Sequence, residues 1–117
     1  MASLTTHILD TANGVPAADV TIEILKVTGD KRVTLRTLKT NEDGRTNSPL
    51  LAGDQCIPGV YELVFHIGEY FRNRETNSDA SPFLDKVVVR FTMAPEEDHY
   101  HVPLLASPWS YSTYRGS

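Results

Sequence analysis

The chain has 117 residues, a formal net charge of −4 at pH 7 and a hydrophobic fraction of 40%. This length suits one domain, and the composition is that of an ordinary globular protein, which argues against disorder. The acidic balance, without a run of Lys and Arg, argues against nucleic acid or an anionic membrane as a main partner. The sequence therefore predicts a single domain over residues 1–117.

The lone cysteine and the N-terminal segment bear on the cellular compartment. Cys56 has no second cysteine with which to form an intrachain disulfide, so nothing in the chain requires an oxidising environment. Residues 1–10 lack the basic and apolar regions of a signal peptide, and no stretch approaches the roughly 20 apolar residues of a membrane span. We expect a cytoplasmic protein without membrane contacts, in which Cys56 is an unreactive loop thiol.

Short alternating segments separated by turns make up the first half of the chain. Residues 3–9 form the first predicted strand, residues 20–24 alternate apolar and polar side chains in a second, and residues 31–40 are rich in β-branched residues. Asn-Gly at 13–14 and the sequence Asn-Glu-Asp-Gly at 41–44 are turn signals. This pattern is typical of an antiparallel β-sandwich or barrel.

The second half of the chain continues the pattern. Residues 60–67 place alternate apolar side chains on one face, and the valine-rich residues 86–93 form a further strand. Residues 99–105 are also predicted to be a strand, interrupted at Pro103, which fits a sheet edge or a strand end. Residues 109–114 are the last candidate.

One short helix is expected between the strands, over residues 69–75, with Tyr70 and Arg74 on one side. The whole chain then holds seven or eight strands, for which two packed sheets are the natural architecture. Such a fold does not by itself define a function.

Four histidines are candidates for chemistry. Taken alone, His7 and His66 are each more typical of structural strand residues. His99 and His101 point to the same face of a strand because side chains alternate, and His-x-His is a familiar metal spacing. Asp98 would point to the opposite face, so this pair lacks an obvious further ligand.

Arg45 and the C-terminal tetrapeptide are the remaining polar candidates. Arg45 follows an Asp-Gly turn, and its guanidinium can grip an oxygen-rich substrate, although a solvated turn arginine is the commoner case. Residues 114–117, Tyr-Arg-Gly-Ser, are rich in functional groups, although chain ends generally fray. Residue chemistry alone does not bring these candidates together.

Four motifs in chain order do connect them. Together they resemble the transthyretin-related hydrolases, the family that opens the ring of 5-hydroxyisourate in urate degradation. The resemblance covers nearly the whole chain and rests on these segments: Leu4-Thr5-Thr6-His7-Ile8-Leu9-Asp10-Thr11 with Gly14-Val15-Pro16-Ala17, Asp43-Gly44-Arg45, His99-Tyr100-His101-Val102-Pro103-Leu104-Leu105, and the terminus from Ser107 to Ser117.

The resemblance implies an all-β, prealbumin-like sandwich of two four-stranded sheets with one short helix. It implies a homotetramer built as a dimer of dimers, with sites in the cleft between dimers. The implied reaction is hydrolysis of 5-hydroxyisourate to 2-oxo-4-hydroxy-4-carboxy-5-ureidoimidazoline, without a metal or other cofactor.

The resemblance also implies roles for individual residues. His7 and His101 would activate water and transfer protons, and Arg45 would orient the substrate and stabilise negative charge. The expected catalytic residues are His7, Arg45 and His101, and the expected substrate-binding residues are His7, Arg45, Tyr114, Arg115, Gly116 and Ser117.

Three other functions remain open at this point. A transthyretin-type carrier would share the fold but would need a mainly apolar channel for an aromatic hormone. An adhesive sandwich module would need no convergent histidines, and a metal protein would use the His-x-His pair.

Overall fold

The computed structural model describes residues 2–74, 81–95 and 99–116. Within these ranges the strands form two sheets that enclose one hydrophobic core, so the predicted all-β sandwich is confirmed. The elements, in chain order, are β1 (Ser3–Asp10), β2 (Val15–Pro16), β3 (Thr21–Thr28), β4 (Lys31–Lys39), β5 (Leu51–Ala52), a 3-10 helix (Gly53–Gln55), β6 (Gly59–Phe65), α1 (Ile67–Arg74), β7 (Val87–Met93), β8 (His99–Ala106) and β9 (Tyr111–Thr113).

The first sheet has the strand order β2-β1-β8-β9, with β5 also paired to β1. It contains five strands rather than the expected four, because β2 and β5, of two residues each, pair with the two ends of β1. Strands β1 and β8 run parallel, so the prediction of a wholly antiparallel sandwich is wrong for this pair. Two parallel strands must be joined by a long crossover connection. The chain between β1 and β8 forms this connection and contains all the strands of the second sheet.

The second sheet has the order β4-β3-β6-β7, and its pairings are all antiparallel. Strand β6 ends at Phe65 instead of Ile67, and α1 begins at Ile67, two residues before the predicted start. Glu75, the predicted last residue of the helix, lies outside the described residues. In the part of the chain that the structure describes, no helix is long and apolar enough to cross a bilayer.

The core follows the alternation of the strands. Every second residue of β1 and β8 points inward, and the side chains of Leu4, Ile8 and Leu104 are completely buried. The inward residues of β3 and β6 meet them from the other sheet. The odd-numbered residues of β1 and β8 are therefore left on the outer face of the first sheet.

Pro103 lies within β8, which continues without interruption to Ala106, so the expected interruption is absent. The β8–β9 ladder begins only at Leu104, and the Pro103 carbonyl accepts a hydrogen bond from Thr113 Oγ1 at 2.7 Å. Pro103 therefore lies just before the residues of β8 that pair with β9, at a position where its missing N–H costs the β8–β9 ladder no hydrogen bond.

Helix α1 is attached to the first sheet by the buried carboxylate of Asp10. Tyr70 donates a hydrogen bond to it at 2.8 Å, and Arg74 Nε lies 3.5 Å from the same oxygen, so both residues lie on one side of α1 as predicted. Burial and the hydrogen bond to Asp10 raise the pKa of Tyr70 to about 12.

Two other residues take the structural roles expected of them. His66 Nε2 lies 2.6 Å from Glu23 Oε1, across the outer surface of the second sheet. Cys56 is partly buried against the core, and burial raises the pKa of its thiol, which disfavours the nucleophilic thiolate.

Candidate active site

The outer face of the first sheet carries a strip of polar side chains. Because β1 and β8 are parallel, Ser3 lies opposite His99 and Thr5 lies opposite His101, while His7 follows two residues along β1. The side chains of all five residues point away from the core. The fold thus brings together two histidines that lie at opposite ends of the sequence.

His7 is held in one tautomer by a backbone carbonyl. Its Nε2 donates a hydrogen bond to the carbonyl oxygen of Asp43 at 2.9 Å. A carbonyl can only accept, so the proton of the neutral ring is on Nε2 and the lone pair is on Nδ1. Burial, followed by the positive charge of Arg45, lowers the pKa of His7, so the ring is neutral at pH 7.

His101 is also neutral at pH 7. Its Nδ1 lies 2.9 Å from the hydroxyl oxygen of Thr5. Burial is the largest cause of its lowered pKa, and the electrostatic effect of Arg45, followed by those of His7 and His99, lowers the pKa further by disfavouring the charged form of His101. Arg45 therefore lies near both imidazoles and favours the neutral, proton-accepting form of each.

A tight turn places Arg45 beside β1. The side-chain oxygen of Asn41 accepts from the backbone N–H of Asp43 at 2.9 Å, and the Asn41 carbonyl accepts from the N–H of Gly44 at 3.0 Å. The Gly44 carbonyl in turn accepts from the N–H of Ile8 at 2.8 Å. The turn is thereby attached to β1 directly next to His7.

Gly44 is the one position of this turn that requires glycine. Its φ is +75°, and a Cβ atom there would lie 2.4 Å from the carbonyl oxygen of Ile8. A side chain would meet both a left-handed backbone and a rigid strand. The Asp-Gly-Arg sequence is thus explained by a close approach of the turn to β1.

We expect Gly44→Ala to lower the free energy of unfolding by about 2–4 kcal/mol, since strain and a backbone clash add together. Urea denaturation monitored by tryptophan fluorescence measures the change. Gly29→Ala is the matched control, because its φ is +59° but a Cβ there meets nothing within 4 Å, and we expect about 1–2 kcal/mol. Equal losses in the two variants would show that Gly44 is not tightly packed on β1.

A cavity of about 210 Å³ lies between β1 and the segment that follows the arginine turn, and neither His7 nor His101 lines it. Arg45, Thr5, Thr6 and residues 46–49 line it. Arg45 is exposed on its wall, and its guanidinium carries five N–H donors that suit the oxygen atoms of a bound molecule. The size and the polar lining suit a small, oxygen-rich molecule more than a large apolar ligand.

The C-terminal segment folds back along β8. The N–H of Gly116 donates to the carbonyl of His101 at 2.7 Å, and a Cβ on Gly116 would lie 2.6 Å from Cδ2 of the His101 ring. Gly116 therefore lies directly against that imidazole, where another side chain would displace the ring. Arg115 donates to the carbonyl of His99 at 3.2 Å.

The predicted site residues separate into three groups. His7, Arg45, His101 and Gly116 come together on the outer face of the first sheet. Tyr114 and Arg115 instead line a different cavity, of about 280 Å³, at the edge of the sandwich, where the Arg115 guanidinium lies 4.3 Å from the ring of inward-facing Tyr100. Ser117 lies outside the described residues.

The metal interpretation gains no third ligand from the fold. His99 and His101 share a face as predicted, but each directs Nδ1 to a hydroxyl, that of Ser3 at 2.5 Å and that of Thr5 at 2.9 Å. Among residues 2–74, 81–95 and 99–116, no group of three or more His, Cys, Asp or Glu side chains could hold a metal ion.

Sequence reasoning missed two groups that support the histidines, the hydroxyl of Thr5 and the backbone carbonyl of Asp43. The alternation of β1 could have indicated Thr5, because it lies two residues before His7 and shares its face. No sequence signal indicated the Asp43 carbonyl, since a backbone group is not specified by residue type.

The profile of the HIUase/Transthyretin family matches residues 4–116. The chain belongs to this family. The 5-hydroxyisourate hydrolase of Pseudomonas aeruginosa is 51% identical to it over 117 residues, which is all of this chain and 93% of that protein. The predicted resemblance to the transthyretin-related family is therefore confirmed.

Two solved structures share the fold. (S)-allantoin synthase matches with a TM-score of 0.89 and 44% identity over 99% of this chain, which spans only 44% of that longer protein. Transthyretin from Sparus aurata matches with a TM-score of 0.87 and 30% identity, over 99% of this chain and 97% of that one. The prealbumin-like architecture is therefore confirmed.

Proposed function

We propose that this protein hydrolyses 5-hydroxyisourate to 2-oxo-4-hydroxy-4-carboxy-5-ureidoimidazoline. The observation that carries this proposal is the placement of His7 and His101 on the outer face of two paired strands, with Arg45 in the turn attached to β1 beside His7. The 51% identity to a hydrolase of that name, over the whole chain, supports it. As a hydrolase of a cyclic amide, the protein needs a base, an acid and a group that stabilises an oxyanion.

The three side chains can supply these roles in a balanced reaction. One neutral imidazole removes a proton from water as its oxygen attacks the lactam carbonyl carbon, and the carbonyl π electrons move to oxygen. Arg45 stabilises the resulting oxyanion with its charge and paired N–H donors. The oxyanion then collapses, the C–N bond breaks, and an imidazolium donates a proton to the departing nitrogen.

The ring nitrogens constrain how this chemistry is shared. His7 donates through Nε2 to the Asp43 carbonyl, which leaves Nδ1 as the atom that accepts or returns a proton. His101 uses Nδ1 for its contact with Thr5, which leaves Nε2 for proton transfer. The imidazole that takes the proton from water becomes the imidazolium, and this proton reaches the departing nitrogen directly or through the second imidazole. The contacts are compatible with either His7 or His101 as the first acceptor.

A transthyretin-type carrier has the same fold, so only the residues of the site can distinguish a carrier from a hydrolase. A carrier for an apolar hormone needs mainly apolar walls. In this chain the candidate site is built instead from the polar side chains of His7, Arg45 and Thr5. This polar lining favours an enzyme over a carrier.

The decisive experiment generates 5-hydroxyisourate in situ from urate and urate oxidase and follows its ultraviolet decay with and without this protein. We expect decay to accelerate in proportion to protein concentration. An unchanged decay in the presence of folded protein would contradict the hydrolase assignment, and calorimetry with an aromatic hormone would then test the carrier.

The C-terminal segment is proposed to close the site through Gly116. We expect Gly116→Ala to lower kcat roughly 10- to 100-fold, because a Cβ would displace the His101 ring and small displacements of a catalytic group are costly. The free energy of unfolding should change by less than about 1 kcal/mol, since the segment adds little core. Unchanged kcat, measured in the decay assay, would remove Gly116 from the site.

The other tail residues receive proposed roles of unequal support. Substrate contacts of Tyr114 and Ser117 are proposed from the family motif alone, since Tyr114 lines the 280 Å³ cavity and not the one beside Arg45. Arg115 is proposed to hold the tail on β8 instead of binding substrate directly, because its guanidinium contacts the His99 carbonyl and the ring of Tyr100.

We propose a homotetramer, built as a dimer of dimers, as the functional assembly. Strands β7 and β9 are sheet edges, and Val88 and Tyr111 are each 45% exposed there. Uncovered strand edges pair readily with a second chain, and closed symmetric oligomers are the commonest outcome. Sedimentation should give the mass of four chains of 13.0 kDa, and a monomer at micromolar concentration would contradict the assembly.

The proposed enzyme acts as a single hydrolase domain over residues 1–117 without a cofactor. A cytoplasmic location is proposed because Cys56 provides no disulfide. Cell fractionation tests this location.

A further inference from the structure

Thr5 links the arginine cavity to the second catalytic histidine. Its Cα lies opposite that of His101 in the β1–β8 pairing, and its hydroxyl oxygen lies 2.9 Å from Nδ1 of the ring. Thr5 also lines the 210 Å³ cavity that Arg45 borders.

We propose that Thr5 is a positioning residue that holds the His101 ring through Nδ1 and so keeps Nε2 directed at the substrate. This proposal rests on the proposed hydrolase function. Gly116 packs against Cδ2 of the same ring, so the imidazole is held through Nδ1 on one side and by backbone on another.

A hydroxyl suits this position better than a carboxylate. A threonine hydroxyl both donates and accepts, so it can bond to Nδ1 whether His101 is neutral or charged. A carboxylate would favour the imidazolium and raise the pKa of His101, opposing the effects of burial and Arg45. Thr5 therefore orients the ring without removing its capacity to accept a proton.

The neighbouring pair provides a matched control within the same sheet. Ser3 Oγ lies 2.5 Å from Nδ1 of His99. This pair precedes the Thr5–His101 pair by two residues on each strand, and both of its side chains point outward. Neither residue lines the arginine cavity. The same hydroxyl–imidazole contact is thus present once beside the proposed substrate position and once away from it.

The test compares Thr5→Val, Thr5→Ser and Ser3→Ala in the full chain. We expect Thr5→Val to lower kcat about tenfold, the rate equivalent of one ordinary hydrogen bond, with KM changed less than about twofold. Thr5→Ser should restore kcat, and Ser3→Ala should leave it unchanged. Valine keeps the β-branched shape that suits a strand. If the Thr5→Val variant does not fold, Thr5→Ala is measured in its place.

The second readout is the ¹⁵N NMR spectrum of protein labelled in its histidine side chains. Loss of the Thr5 hydroxyl should shift the Nδ1 resonance of His101 and alter its tautomer ratio, with His99 unaffected. An unshifted resonance, an unchanged kcat, or a loss that Thr5→Ser does not rescue would each overturn the proposal. If the wild-type protein does not hydrolyse 5-hydroxyisourate, the proposed function fails, and the NMR comparison alone decides whether Thr5 holds the ring.

Discussion

We expect His101→Ala and His7→Ala each to lower kcat by roughly 10²–10⁴-fold, the range for loss of a general acid or base. The ring of His7 is held by the Asp43 carbonyl, and that of His101 is held by the Thr5 hydroxyl and packs against Gly116. Both have lowered pKa values and are therefore ready to accept a proton at pH 7. The decay of 5-hydroxyisourate measures kcat, and circular dichroism checks the fold.

His99→Ala is the control for this pair. His99 shares the face and the hydroxyl contact but is exposed and away from the cavity, so we expect kcat within about threefold of wild type. The double variant of His7 and His101 should lose far less than the product of the two single losses, because groups that act in one reaction are not additive. A loss below about tenfold in both single variants, with the fold intact, would refute the acid–base roles.

The alternating patterns of the sequence were sufficient for the sandwich but not for its connectivity. Val20, Ile22 and Ile24 are all completely buried, as their period of two predicts. Neither the parallel pairing of β1 with β8 nor the short strand β5 could be predicted, because pairing is decided by tertiary packing across the core. The segment before the helix was also misjudged, since Ile67 is buried in α1 and continues the apolar alternation of β6.

The parallel pairing is also the reason that residue chemistry alone could not assemble the site. His7 and His101 are 94 positions apart, and only the register that places Thr5 opposite His101 brings their faces together. The family resemblance had grouped His7, Arg45 and His101 with the whole tail. The fold brings Gly116 to these residues and places the Arg115 guanidinium on the other side of β8, a distinction that a sequence motif does not contain.

Arg45 should affect both the rate and its pH dependence. We expect Arg45→Met to lower kcat/KM by roughly 10²–10³-fold, since a preorganised donor to a developing oxyanion is lost. In the wild type, kcat/KM should fall at low pH as the essential imidazole becomes protonated, and this acid limb of the pH profile reports the pKa of that imidazole. The pKa values of both His7 and His101 are lowered from the usual 6.5. Removing the guanidinium removes one of the causes that lower this pKa, so the acid limb should move to higher pH.

Arg45→Lys separates the two contributions. Lysine keeps the positive charge, so the acid limb should stay near its wild-type position, but it lacks the planar fork, so kcat/KM should fall about tenfold or more. The pH profile of kcat/KM between about pH 5 and 8 measures both quantities for both variants. If the acid limb of Arg45→Met coincided with that of the wild type, the charge of Arg45 would not reach the imidazoles, and its role would be confined to the substrate.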